Sequence, residues 1–281
     1  MAAKLTTVEQ RRREAALWNR GFLVALGVCV AVYLLNILFS EIESRNVWGL
    51  SYGIAAGLLL LGVVLLGWRR RSMRFASRRK LGRSRTWLYF HIYGGLLFLV
   101  LALMHTGLHL PTGNLTWGIW ILSVWTTVSG VLGLALQKWI PRALTSGLSV
   151  EVNHDRIPEL IEQIRVRAEE LAASCGHSAQ RLYGRRIAPA LAGPSRSLMY
   201  FIDITGGIQS RLKELRFLRK LQTGDEWKKL NELEHLYRTK LEIDAHYTLQ
   251  QVLRWWLYFH VPTSLLLLAG VLVHIFVVWY Y

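Results

Sequence analysis

Five apolar runs constrain this chain more than any other feature. They occupy residues 21–40, 50–68, 87–108, 115–137 and 253–281. Each is roughly 20 residues or longer, enough for an α-helix rising 1.5 Å per residue to cross a hydrocarbon core of about 30 Å. The chain is 52% hydrophobic, with 12 tryptophans and a formal net charge of +16. Apolar bulk with strong basicity suits either a nucleic-acid binder or a membrane protein, and the span lengths decide for the lipid bilayer. The sequence therefore predicts an all-α integral membrane protein with five transmembrane helices. The run at 21–40 is too long for the apolar region of a signal peptide and lacks a clear A-x-A site, so it is expected to be a retained first span.

Charge sets the expected orientation. The tail before the first span holds Lys4, Arg11, Arg12, Arg13 and Arg20. The stretch RRRSMRFASRRKLGRSR (69–85) has nine basic residues and no acidic one, whereas the loop at 108–114 has no basic residue. The positive-inside rule puts the tail and the 69–85 loop in the cytoplasm. Both flanks of that loop enter the membrane, so its charge suits anionic lipid headgroups and no nucleic-acid partner is expected. The expected organisation is a cytoplasmic basic tail (1–20), spans one to four (21–137), a cytoplasmic helical insert (138–250) and a fifth span (251–281). Alternation makes the third and fifth spans parallel, with the VVWYY end of the chain on the outer side.

The insert breaks the membrane pattern. Apolar residues recur at helical spacing over 154–173, 208–222 and 225–243, with Pro158 near the first start. A Gly/Pro/Ser-rich connector, GRRIAPALAGPSRS, covers 184–197. These segments predict a cap of about three helices. It contains no glycine-rich phosphate loop.

Chemistry is concentrated in histidine. The two cysteines, Cys29 and Cys175, allow no CxxC zinc pair and no CxxCH haem-attachment motif. Of nine histidines, four fall in matched pairs, His91 with His105 on the third span and His260 with His274 on the fifth. The interval from 91 to 105 equals that from 260 to 274 and amounts to about four helical turns. At about 100° per residue it leaves a residual of roughly −40°, so both members of a pair share a helix face, about 21 Å apart along the axis. His91 lies six residues past Arg85, and His260 six past Arg254. On parallel helices His91 should therefore face His260 at one depth, and His105 should face His274 at another. Two facing imidazoles can ligate both axial positions of a haem iron. Ionisable side chains within membranes are usually functional, and the absence of accompanying thiolates or carboxylates disfavours zinc or copper. Gly94 and Gly95 after His91, Gly107 near His105 and Gly270 before His274 are candidates for making room for two b-type haems.

The other histidines are expected to be local. His154, His177 and His235 lie in the polar insert. His246 is one further step of the same interval before His260, but in a polar stretch. His109, one turn past His105, is outside the lattice and could meet a haem propionate or a docking partner.

The paired histidines, the MHTGLH at the end of the third span, VSGVLGLALQKWIPRAL (128–144) and YTLQQVLRWWLYFHVPTSLLLLAGVLVHI (247–275) resemble the membrane cytochromes b. The similarity is to the ferric-reductase-like group, and within it to bacterial dihaem proteins associated with multihaem c-type cytochromes. It covers roughly 86–281. It implies His91, His105, His260 and His274 as iron ligands and transmembrane electron transfer through two b haems. It also implies the bacterial inner membrane, with a cytoplasmic N-terminus and a periplasmic C-terminus. The flavin-bearing members continue into a sixth span and a nicotinamide domain, whereas this sequence ends at Tyr281. Electrons are accordingly expected from a quinol or from an iron–sulfur or flavin subunit, and a c-type cytochrome is an expected partner at the outer face. The competing expectation is a haem-free assembly protein or a transporter, for which the spans offer few ionisable groups beyond the histidines.

Overall fold

All five apolar runs lie in helices. The structure is a computed structural model and describes residues 2–71, 83–147, 156–197 and 199–280. The runs lie in α1 (Ala2–Phe39), α2 (Val47–Arg71), α3 (Ser84–His105), α4 (Asn114–Gly147) and α10 (Gly224–Tyr280). Between α4 and α10 come α5 (Ile157–Ala173), α6 (His177–Leu182), α7 (Ala188–Leu191), α8 (Met199–Ile202) and α9 (Ile204–Lys220). Among the described residues there is no strand, and five helices are long and apolar enough to cross a membrane. The chain is an all-α, multi-pass membrane protein.

Local chemistry sets several of the boundaries. Asn46 caps α2 by accepting a hydrogen bond from Gly49 N at 2.8 Å, a contact that typically stabilises a helix start by about 1 kcal/mol. Asp203 caps α9 through Gly206 N. Pro158 occupies the opening turn of α5, where its missing N–H costs nothing. The 184–197 connector is more ordered than its composition suggests. It begins within a π-helical turn (Tyr183–Ile187) and continues into α7 before becoming irregular.

α10 departs from the sequence expectation. The amphipathic segment 225–243 and the fifth span form one helix of 57 residues. Residues 244–252 contain neither Gly nor Pro, so nothing ends the helix where polarity gives way to apolar sequence. Pro262 sits inside it and donates no backbone hydrogen bond. The next two side chains turn back onto nearby carbonyls: Thr263 Oγ1 donates to Phe259 O at 2.8 Å, and Ser264 Oγ donates to His260 O.

The chain forms two compact units, one of Met1–Leu132 with Tyr258–Tyr281 and the other of Gly133–Leu257. In the first, α2 and α3 pack most extensively. Its buried cluster includes Tyr33, Tyr52, Leu60, Phe98, Met104 and Leu267. Large apolar side chains such as Leu23, Val28, Leu58 and Val128 face outward, while Asn36, Ser123, Thr126 and Ser129 are buried. That polarity suits a lipid-facing surface, with the buried amide of Asn36 satisfied by Tyr52 Oη at 2.8 Å.

The second unit has the opposite polarity. α5 buries Ile157, Ile161, Ile164, Ala168 and Leu171 on one stripe, in a core shared with Leu212, Leu230 and Leu233. Its surface carries ion pairs such as Arg167–Glu232 and Arg186–Glu214. Inside, Lys240 Nζ lies 2.6 Å from Asp244 Oδ2, both side chains fully buried. Asp244 also accepts from Ser195 N and Oγ, which ties the connector to α10. Burial pushes the Tyr200 phenol up to about 12.

Candidate metal centres

His91 and His105 share one face of α3, and His260 and His274 share one face of α10. The structure brings them together in two pairs. The His91 and His260 rings have centroids 6.3 Å apart with planes at 74°. The His105 and His274 rings have centroids 6.4 Å apart with planes at 76°. The cross-pairs His91–His274 and His105–His260 are not what forms.

These separations carry chemical information. An imidazole nitrogen binds a transition metal at about 2.0–2.1 Å and lies roughly 1.1 Å from its ring centre, so two rings that share one ion have centroids up to about 6.3 Å apart. Both pairs lie close to that limit. Among the described residues no group of three or more His, Cys, Asp or Glu could hold a metal ion. An ion held between two imidazoles therefore needs its remaining coordination positions filled by something other than the protein, which is what a porphyrin does. The residues present fit a bis-histidine haem at each pair.

Hydrogen bonds select the available nitrogen. His91 Nδ1 lies 3.0 Å from Val63 O, and His105 Nδ1 lies 2.8 Å from Gly49 O. A carbonyl oxygen only accepts, so each Nδ1 carries the hydrogen and each Nε2 carries the ring's lone pair. His260 Nδ1 pairs with Ser129 Oγ at 3.3 Å on α4. His260 is the most enclosed of the four, 9% exposed; the others are half-buried.

The four candidate glycines have different surroundings. A Cβ on Gly95 would meet nothing within 4 Å, so there is open space beside the turn that follows His91. Gly94 is a packing glycine, since a Cβ there would press on Val63 Cγ2 at 3.1 Å. Gly270 lets α10 approach α4, with Ile119 Cγ1 at 3.3 Å from its would-be Cβ. Gly107 serves the turn that ends α3. It has φ +61°, and a Cβ there would run into the Ile42 carbonyl oxygen. Residues the sequence did not single out stand closer to the rings. A Cβ on Gly53 would lie 2.7 Å from His105 Nδ1, and one on Gly130 would lie 3.5 Å from His260 Cε1. The spacing Gly49, Gly53, Gly57 on α2 was the available signal for the first.

The remaining histidines stay out of both pairs. His109 is exposed, with Nδ1 3.3 Å from Thr106 O. His177 and His235 are exposed, and His246 is buried in the second unit. His154, expected to be local to the polar insert, lies outside the described residues, as does most of the basic 69–85 loop. Cys29 and Cys175 are both free.

No family model, curated protein or solved structure matches this chain.

Proposed function

We propose that the protein is a dihaem membrane cytochrome b subunit of the ferric-reductase-like kind. It passes electrons across the bacterial inner membrane between a quinol pool or cytoplasmic-side donor and a periplasmic acceptor such as a c-type cytochrome. One observation carries this reading: two facing imidazole pairs, repeated at the same interval on two helices, each with ring centroids 6.3–6.4 Å apart. The resemblance of the motifs around these histidines to that family points the same way. Under the positive-inside orientation, His91 and His260 form the inner centre and His105 and His274 the outer.

Bound at these pairs, haem supplies a one-electron iron couple. The chain's own work is to hold, orient and insulate. Val63 and Gly49 carbonyls fix the orientation and tautomer of the α3 imidazoles, and Ser129 holds His260. The two pairs are separated by about 21 Å of helix rise. Phe98 and Leu267 each lie midway between the two histidines of their helix, and both are buried in the same apolar cluster. They fill the layer between the pairs and keep water out of it. An iron–sulfur or flavin subunit at the inner side would be the donor in the absence of a direct quinol reaction.

The test is a visible spectrum of purified protein. Dithionite-reduced bis-histidine b haem gives sharp α and β bands, with two haems per chain expected by pyridine haemochrome assay. A folded, colourless, iron-free preparation would falsify the reading and favour an assembly protein or transporter.

A further inference from the structure

The second span repeats the interval found in the third and fifth. The acceptors for the α3 histidines are the carbonyls of Gly49 and Val63, and 49 to 63 is the same step as 91 to 105. α2 offers them in the reverse order along the chain to the histidines they receive. Four residues beyond each acceptor stands another glycine, Gly53 and Gly67. In an α-helix the carbonyl of residue i already takes the N–H of residue i+4. It has a second lone pair for the imidazole, provided the side chain at i+4 does not stand in the way. At the His105 site that requirement is tight. A Cβ on Gly53 would fall 2.7 Å from His105 Nδ1, 2.9 Å from Cε1 and 3.1 Å from Cγ. At the His91 site it is slack, because a Cβ on Gly67 would meet nothing within 4 Å.

We propose that Gly53 is a positioning residue for the outer centre. Its missing side chain lets the His105 ring lie on α2 and donate Nδ1–H to the Gly49 carbonyl, which fixes Nε2 as the metal-facing nitrogen and sets its donor strength. The inference rests on the dihaem reading for its redox consequence but not for the tautomer. Nothing equivalent is required of Gly67, so the two centres differ in their tolerance of a methyl group on α2. Donation to a carbonyl makes an imidazole a stronger ligand to the oxidised metal. Losing that bond favours the reduced state and raises the potential of the outer centre alone.

The experiment has two arms. In haem-free protein labelled with ¹⁵N-histidine, the ring-nitrogen shifts of His91 and His105 should report Nδ1–H tautomers. Gly53→Ala should convert His105 and leave His91 unchanged. In haem-loaded protein, Gly53→Ala should shift the ferric EPR signal and midpoint potential of one centre. The expected potential change is upward by about a tenfold change in relative affinity for the two oxidation states, or about 59 mV for one electron. Gly67→Ala and Gly57→Ala, whose Cβ atoms meet nothing within 4 Å, should move neither centre. An Nε2–H tautomer at His105 in the unsubstituted protein overturns the proposal even if Gly53→Ala fails to fold. Two haems with unaltered spectra in Gly53→Ala also overturn it while leaving the dihaem reading intact. Wild-type protein that binds no haem overturns the dihaem reading and leaves the tautomer result to decide the role of Gly53.

Discussion

Behind His91, α2 presents the Val63 carbonyl at 3.0 Å, and the glycine one turn on is open to its surroundings. Behind His105 it presents the Gly49 carbonyl at 2.8 Å, with Gly53 directly against the ring. On the α10 side, His260 has the Ser129 hydroxyl at 3.3 Å and Gly130 in ordinary contact. The two pairs thus share ring spacing and interplanar angle but not the groups that hold the rings. The 91/260 pair is gripped from two helices by polar groups. The grip on the 105/274 pair is concentrated on His105. Equal ring spacing therefore does not make the two pairs equivalent, and substitutions should separate them.

On the proposed dihaem function, the largest effect is expected at the four paired histidines. His91→Ala and His260→Ala should each remove one haem, the same one, and halve the haem content of purified protein. His105→Ala and His274→Ala should remove the other. Redox titration of the four variants checks the pairing. If His91→Ala and His274→Ala deplete the same component, the parallel arrangement of α3 and α10 fails.

A smaller effect is expected at Ser129. Ser129→Ala removes the partner of His260 Nδ1 and should raise the potential of the 91/260 centre only. At 3.3 Å this hydrogen bond is long, so the change should stay below tenfold in relative affinity, under about 59 mV. Potentiometry with optical detection reads it, and an equal shift in both centres would contradict the assignment.

Gly130→Ala should have the least effect. Its Cβ would sit in ordinary van der Waals contact with His260 at 3.5 Å, so both potentials should stay unchanged. A lost 91/260 haem in this variant would mean that the slot beside His260 is tighter than its geometry indicates.

Much of this was legible in the sequence. Run length announced the spans, because hydrocarbon thickness fixes how many residues a crossing needs. The facing pairs followed from one interval used twice, on two helices that alternation makes parallel, because helical periodicity turns sequence separation into face and depth. The length of α10 did not follow, since apolar runs mark the membrane-competent part of a helix and say nothing of where its polar continuation stops. Glycine was ambiguous for a related reason. Gly94, Gly95, Gly107 and Gly270 look alike in sequence, yet they serve packing against Val63, open space, a left-handed turn and packing against Ile119. The carbonyls of Gly49 and Val63 had no signature, because every residue carries one and only the fold decides which are in reach.

The hydrogen bonds from α3 to α2 also bear on how the protein is made. His260 is synthesised long after His91, with the whole of α4 through α9 between them. At a synthesis rate of about 5–20 residues per second, α3 waits roughly 10–30 s in the membrane before its partner helix is complete. α2 is already made by then, and its carbonyls at Val63 and Gly49 can take the Nδ1–H groups of both α3 histidines. Neither imidazole donor therefore has to wait for α10 to find an acceptor.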